Sequence, residues 1–372
     1  MKNILLILSA FLLCFTISSC KKTDANTGQT VNVVSPVIST NDPTSITGTT
    51  ATVGGNITND GGSLIKEAGV VYSTATGVDT SKNRIRNYSV SGNFSVPLKN
   101  LALLTKYYYR AYAINEKGLT YGEEKSFFVP VSGYSAASQI APTNLVAFWA
   151  FEGGYIDSVS KTLGTANHAT ALNFVNAGVK GKAVQIASPG YINSNITSTV
   201  ANLKSFTLTT WILQPASLSS GPTTYMPFSL NQAGYSWEQT KFFMLFNNAD
   251  NGGKSYGKIC LMDQWFDQGQ IWPAMLDNNW HQMAISYSGV TGALRVYVDG
   301  NLLSQSASSA FNPQTNFGAA DSFTLGGPSD ATNAANGWMN ALSGQLDEFR
   351  IYNRELTLAE VQALNALESH GL

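Results

Sequence analysis

Two adjacent carboxylates, Asp347 and Glu348, lie in the stretch LSGQLDEFRIYNREL, which alternates apolar and polar residues as a β-strand does. Paired carboxylates hydrolyse glycosidic bonds when they face one groove at about 5 Å, or at about 6.5–9.5 Å, from each other. Neighbouring residues of a regular strand point to opposite faces. We therefore expect Asp347 to share a face with Phe349, and Glu348 to share the opposite face with Arg350. Such a pair would not flank one bond, so the pattern argues against a catalytic pair.

A second candidate site lies between residues 214 and 276, where aromatic side chains alternate with carboxylates and amides. Sugar rings stack on aromatic faces, and their hydroxyl groups bond to carboxylates and amides. The segment LMDQWFDQGQIWPAM concentrates both kinds of residue in one loop-like stretch. The residues predicted to bind a glycan are Trp265, Trp272, Asp263, Asp267, Trp237 and Tyr256. The alternative is that these aromatic residues fill the core of a large β-sandwich.

The composition narrows the classes of protein that this chain of 372 residues can represent. The length suffices for two or three domains. Charged residues make up only 12% of the sequence, about half the usual share, and Gly, Ser, Thr and Asn are abundant instead. This composition suits an extracellular β-protein. The net charge of −1 provides no basic surface for nucleic acid, and the three histidines lack the spacing of zinc ligands.

Residues 1–20, MKNILLILSAFLLCFTISSC, have the pattern of a signal peptide: one lysine, a short apolar run and small residues before Cys20. The last four resemble a bacterial lipobox, which implies that Cys20 becomes a lipidated amino terminus. The alternative is an ordinary signal peptide with a chance cysteine. A lipid would tether the protein to a membrane face, predicted here to be the outer membrane at the cell surface. Residues 21–35 are polar and predict a flexible tether.

Residues 36–130 contain short alternating runs separated by Gly and Asn turns, which predict a small β-sandwich. The segment NLALLTKYYYRAYAINEKGLTYGEEKSF resembles the second half of a fibronectin type III-like domain of the bacterial extracellular kind. Tyr107 follows Leu101 at the spacing of a tyrosine corner. Alternation puts Tyr107 and Tyr109 on one face, and Tyr108 and Arg110 on the other. Such domains serve as spacers, although the second face is an alternative ligand site. The small and polar residues 131–144 predict a linker.

Residues 145–372 contain, in order, FWAFEGG, GKAV, SFTLTTWI, WHQMAISY, LRVYVDG and GQLDEFRIYNREL. These blocks resemble laminin G-like jelly-roll domains of the concanavalin A-like lectin/glucanase class. Glycosidases of this class carry acids two and four residues apart on one strand face, a pattern that this sequence lacks. Thr357 and Glu360 predict a capping box, followed by a helical stripe of Leu358, Val361, Leu364 and Leu367. The predicted fold is all-β: a small fibronectin III-like sandwich, then a large concanavalin A-like jelly roll with a short C-terminal helix.

The laminin G-like resemblance also implies a structural calcium ion, because many such sandwiches bind calcium through carboxylates and loop carbonyls. The acids that we expect as oxygen ligands are Glu152, Asp157 and Asp347. The alternative is that these carboxylates accept hydrogen bonds from backbone N–H groups at strand ends.

The predicted function is non-catalytic polysaccharide binding by a membrane-anchored surface lipoprotein of a Bacteroidota-like bacterium. It would act beside other surface proteins of glycan uptake. One alternative is an adhesion or scaffold protein that binds a protein or matrix partner. Another is a glycosidase whose acid pair is displaced, because one fold carries many functions.

Overall fold

A computed structural model describes residues 32–88, 91–216, 224–234, 240–247, 257–266, 275–307, 317–335, 337 and 339–372. The strands lie in two groups, and each group encloses its own hydrophobic core. No helix within these ranges is both long enough and apolar enough to cross a membrane.

The first group of strands forms a sandwich of two antiparallel sheets. Its strands are β1 (Val37–Thr40), β2 (Thr44–Thr47), β3 (Thr50–Asn59), β4 (Glu67–Ser73), β5 (Asn83–Asn87), β6 (Gly92–Leu98), β7 (Thr105–Ile114), β8 (Leu119–Tyr121) and β9 (Lys125–Val129). Sheet A has the order β1-β3-β2 with β6 beside β3, and sheet B has the order β5-β4-β7-β8 with β9 beside β7. Val53 and Val96 of sheet A pack with Tyr109 and Phe127 of sheet B in the core.

The tyrosine corner predicted in this sandwich is confirmed. The hydroxyl group of Tyr107 accepts a hydrogen bond from the backbone N–H of Ala102 at 3.1 Å, and its ring stacks on Phe127 at 5.8 Å. The alternation along β7 is confirmed as well, because Tyr108 belongs to a separate cluster on the other face of sheet B. The first sandwich is therefore fibronectin III-like.

The second group of strands forms a larger sandwich. Its strands are β10 (Leu145–Trp149), β11 (Thr165–Asn167), β12 (Leu172–Val175), β13 (Ala183–Ile186), β14 (Tyr191–Asn193), β15 (Phe206–Leu213), β16 (Thr224–Asn231), β17 (Thr240–Asn247), β18 (Gly257–Leu261), β19 (Gln264–Phe266), β20 (Trp280–Tyr287), β21 (Ala293–Val298), β22 (Asn301–Ala307), β23 (Ser322–Leu325), β24 (Asn340–Ala341) and β25 (Gly344–Tyr352). The helices are α1 (Thr197–Ala201), α2 (Asp330–Ala335) and α3 (Leu358–Ser369), with 3₁₀ turns at Ala137–Gln139 and Ala169–Ala171.

The strands of the second sandwich lie in two sheets that pack face to face. Sheet C has the order β12-β13-β25-β15-β20-β21-β22, with β10 beside β25, and sheet D has the order β11-β14-β23-β16-β17-β18-β19, with β24 beside β16. Phe228 of sheet D lies 4.9 Å from Phe242 and 6.1 Å from Phe349 of sheet C, measured between ring centroids. Aromatic residues from both sheets therefore fill the space between them, as alternation along each strand requires.

Helix α3 packs on the face of sheet C that is turned away from sheet D. Its capping box is confirmed, because the Thr357 hydroxyl accepts from the Glu360 N–H at 3.2 Å and the Glu360 carboxylate accepts from the Thr357 N–H at 2.8 Å. Val361, Leu364 and Leu367 are buried as predicted. The prediction was wrong for Leu358, which is 45% exposed. This first helical residue lines an open groove instead of the buried interface.

The predicted linker, residues 131–144, packs against α3. Ala137 and Ile140 are buried in one cluster with Leu364 and Leu367 of that helix. The Ala137 N–H also donates to the backbone carbonyl of Leu372 at 3.3 Å. The small residues of this segment therefore fit closely beside the helix.

Candidate functional site

Residues 257–266 form a β-hairpin, where the sequence predicted a loop-like stretch. Leu261 pairs with Gln264, so Met262 and Asp263 form a two-residue turn. Both residues have positive φ, at 50° and 63°, as primed hairpin turns require. The loop prediction was wrong here because the usual Asn-Gly signal of such a turn is absent.

The hairpin places Trp265 on the outer face of sheet D, which is the face turned away from sheet C. Trp265 pairs with Cys260, which pairs with Phe243, so the three side chains form one cross-strand row. The Trp265 ring meets Phe243 edge-on at 5.4 Å. Phe243 and Cys260 are fully buried, whereas Trp265 is half-buried. Trp265 thus lies where this aromatic row meets the surface.

Two charged side chains lie close to this hairpin. Lys241 stands at a shift in the register between β16 and β17, and its side chain is buried at 4% exposure. Burial lowers the pKa of Lys241, and the nearby negative charge of Asp263 raises it. Asp263 and Lys241 are thus electrostatic neighbours, and Asp263 lies two residues before Trp265 in the hairpin. An aromatic ring together with a half-buried carboxylate can hold a polar ring-shaped ligand.

The other half of the outer face is polar, and the chain itself covers it. The hydroxyl groups of Ser229 and Thr324 lie 2.8 Å apart, and Thr324 donates to the Gly327 carbonyl at 2.6 Å. Thr332 in α2 donates to the Asn231 side chain at 3.0 Å. Sequence reasoning missed this network, although polar residues alternate with apolar ones in FSLN and SFTL. The network attaches α2 to sheet D.

A further polar group at the rim of sheet D was not selected from the sequence. The Nε2 atom of His168 lies 2.7 Å from the Asp330 carboxylate, and both side chains are exposed. The His168 ring lies 6.2 Å from Tyr191. His168 thus meets the first residue of α2, and their separation by 162 positions in the chain hides that contact from sequence analysis.

Of the residues predicted to bind glycan, the structure therefore places Trp265 and Asp263 together at the β18–β19 hairpin. Four others, Trp237, Tyr256, Asp267 and Trp272, lie outside the described residues, as does Cys20.

The carboxylate of Asp157 is fully buried and bonded to protein donors. It accepts from the backbone N–H groups of Phe148 at 2.7 Å, Val159 at 3.1 Å and Ser160 at 2.9 Å, and also from the Ser160 hydroxyl. Glu152 accepts from the Lys182 N–H at 3.1 Å. No group of three or more His, Cys, Asp or Glu side chains within the described ranges has the geometry to hold a metal ion. The contacts of Asp157 and Glu152 are hydrogen bonds of the kind that the alternative to calcium binding predicts.

The two carboxylates of β25 do not follow regular alternation, because the strand contains a bulge. The register shifts where Thr210 of β15 faces both Glu348 and Phe349, and Glu348 has a φ of 48°. Phe349 packs in the core between the sheets, whereas Asp347 turns away and accepts from the Lys180 N–H at 3.1 Å. The prediction that Asp347 and Phe349 share a face was therefore wrong. A bulge inserts one residue and reverses the alternation beyond it.

Asp347 and Glu348 do not resemble a working catalytic pair because both are buried, and not because they point to opposite faces of the strand. Asp347 is 0% exposed and Glu348 is 2% exposed, so neither carboxylate lies on a surface that a sugar chain reaches. Burial raises the pKa of Asp347 to about 8 and that of Glu348 to about 7. Raised pKa values are found in general acids, but here they accompany enclosure by protein.

Glu348 belongs to a buried ionic network beneath α3. The Arg350 guanidinium donates to Glu348 and, at 2.7 Å, to Glu368. Glu368 also accepts from the Trp211 indole N–H at 2.7 Å and from the Gln282 amide at 2.8 Å. The network joins β15, β20 and β25 to the helix, so its role is structural.

Comparison with known proteins bears on the second sandwich. Residues 188–362 match the family model described as the concanavalin A-like lectin/glucanases superfamily. No curated protein matches the chain.

Three solved structures illustrate what the chain is similar to. One is a heptameric SAP-like pentraxin from Limulus polyphemus, at 17% identity and TM-score 0.32, over 43% of this chain and 69% of the pentraxin. Another is the CBM40 of the Ruminococcus gnavus IT-sialidase, at 15% identity and TM-score 0.37, over 49% of this chain and 96% of that domain. The third is the Trypanosoma rangeli sialidase, at 15% identity and TM-score 0.41, over 70% of this chain. The chain spans only 42% of that sialidase. With its two facing sheets and the family match over residues 188–362, the second sandwich is a concanavalin A-like jelly roll.

Proposed function

We propose that the second sandwich binds carbohydrate without cleaving it, on the outer face of sheet D around the β18–β19 hairpin. The observation that carries the proposal is the position of Trp265, which is half-buried at the end of the cross-strand row with Cys260 and Phe243 and lies two residues from the half-buried Asp263. Its ring offers a stacking surface, and the Asp263 carboxylate offers a partner for hydroxyl groups. A match to a superfamily of lectins and glucanases supports the ligand class.

The non-catalytic part of the proposal rests on the carboxylates of β25. Hydrolysis requires two carboxyl groups that flank an accessible bond. Asp347 and Glu348 are enclosed by the loop at Lys180 and by helix α3. This supports recognition of a glycan rather than its cleavage.

The proposal also includes a location for the protein at the cell surface. A lipid on Cys20 would hold it at the outer membrane, with the sandwiches on the cell surface beside other proteins of glycan uptake. The pattern of residues 1–20 supports this location.

The proposal is tested by screening the full chain on a glycan array, with and without a calcium chelator, followed by affinity electrophoresis in gels that contain the polysaccharides retained. Trp265→Ala is expected to weaken binding about tenfold, because one stacking contact is lost. Trp280→Ala is the matched control, since Trp280 is also half-buried but lies in sheet C.

Binding that Trp265→Ala weakens and Trp280→Ala leaves unchanged supports both the function and the site. Binding that survives Trp265→Ala keeps the function but removes the hairpin as its site. No retention by any glycan would contradict the proposal and favour adhesion to a protein. Release of shorter sugars during incubation would revive the glycosidase alternative.

A further inference from the structure

The first sandwich carries an open groove at the edge of sheet B, with a volume of about 340 Å³. Its lining mixes cationic, amide and aromatic side chains: Ile65, Lys66, Glu67, Ala68, Arg86, Asn87 and Tyr88. This groove is remote in sequence from the β18–β19 hairpin, so an argument about it does not depend on the function proposed above.

The charges around the groove do not balance. Glu67 accepts from the Tyr112 hydroxyl at 2.7 Å, and its carboxylate lies 3.3 Å from Arg84 and 3.2 Å from Arg86. The Tyr112 hydrogen bond and the two arginines lower the pKa of Glu67, so it is ionised at neutral pH. Two arginines therefore share this single carboxylate, and the exposed Lys66 adds a third cation to the lining of the groove. The groove is therefore a site of local positive charge, and the Arg86 side chain is still 58% exposed.

An aromatic ring stands at the edge of these cations. Tyr88 is 95% exposed, although a tyrosine usually buries most of its ring in a core or an interface. It directly follows β5, which is an edge strand of sheet B. A free ring face beside cations provides both a stacking surface and charge-assisted donors.

We infer that this groove is a second carbohydrate-binding site, specific for a polysaccharide whose sugars carry carboxylate or sulfate groups. Tyr88 stacks against a sugar ring, and Lys66 and Arg86 hold its anionic group. A peptide of acidic residues alone satisfies the charge but has no ring to stack on Tyr88, which is why a polysaccharide fits better. Recognition at a cationic groove is weakened by salt, because the pairs lie at the surface.

The test is affinity electrophoresis of the full chain in native gels that contain polygalacturonate, dextran sulfate, neutral dextran or polyglutamate. The first two polymers separate carboxylate from sulfate recognition, and the other two lack charge or sugar rings. The double variant Lys66→Gln/Tyr88→Ala is expected to weaken retention by an anionic polysaccharide about tenfold. Both side chains are exposed, so thermal unfolding is expected to match that of the wild type.

The control variant is Lys99→Gln/Lys117→Gln, which removes two exposed charges elsewhere in the same sandwich. The inference stands if that control and Trp265→Ala both retain anionic binding while the groove variant loses it. It is overturned if neither anionic polysaccharide retards the wild type, or if the charge control weakens retention as much. It is also overturned if polyglutamate retards the wild-type protein as strongly as the anionic polysaccharides do. If only Trp265→Ala loses retention by the anionic polysaccharide, the anionic ligand binds at sheet D instead.

Discussion

His281 shows how a single residue of the second sandwich is stabilised by charge. Its Nδ1 atom lies 2.8 Å from Asp299 and its Nε2 atom lies 3.2 Å from Asp277. The hydrogen bond to Asp299 raises the pKa of His281, and the two negative charges add to it against the effect of burial. The ring therefore connects the loop at Asp277 to the β21–β22 hairpin at Asp299.

These contacts predict a pH dependence of stability. The folded pKa of His281 lies above the unfolded value of about 6.5. The stabilisation is therefore complete below about pH 6.5 and is lost as pH rises through the folded pKa. Relative to His281→Gln, the wild-type free energy of unfolding should decrease as pH rises from about 6.5 through the folded pKa. Urea denaturation at several pH values measures this difference in free energy of unfolding. His370→Gln, which changes an exposed histidine, is the control. Parallel pH profiles for wild type and His281→Gln would contradict the prediction.

At the scale of elements, the network around Glu368 fastens α3 to sheet C. Its members come from three strands and the helix, and all are buried. A buried ion pair contributes little net stability compared with an apolar replacement of all its members. Removing one partner is costly, however, because the remaining charges stay desolvated.

Arg350→Met is therefore expected to lower the free energy of unfolding by about 3–5 kcal/mol, since Glu348 and Glu368 lose their cation. The matched control is Arg295→Met, whose ion pair with Glu355 is about one third exposed, with side-chain exposures of 30% and 31%. Losing an exposed pair costs less than about 1 kcal/mol. Urea denaturation of the two variants gives the comparison, and equal losses would show that burial does not govern this network.

At the scale of the whole molecule, the proposed anchor decides where both sandwiches act. Cys20→Ala is expected to abolish incorporation of labelled palmitate and to release the protein from the outer-membrane fraction, because a lipid chain provides the membrane affinity. Cys14→Ala and Cys260→Ala are the matched controls and should leave both readouts unchanged. Lipid labelling that persists in Cys20→Ala would place the modification elsewhere.

Local pattern was enough to predict much of this molecule. Alternation predicted the strands, the Leu101–Tyr107 spacing predicted the tyrosine corner, and Thr357 with Glu360 predicted the start of α3, because each signal depends on residues close together in the chain. Leu358 was misplaced because propensity does not show which part of a helical stripe meets a sheet.

What only the tertiary structure decided were the contacts between distant segments. The bulge at Glu348 depends on pairing with β15, and one inserted residue reversed the side-chain directions that strict alternation predicted. The Met262–Asp263 turn needs positive φ at two residues that seldom adopt it, which pairing of β18 with β19 imposes. The convergence of Lys66, Arg86 and Tyr88 likewise requires two strands to lie side by side. Sequence determines which elements form, because their energetics are local, whereas the register of pairing determines which side chains meet.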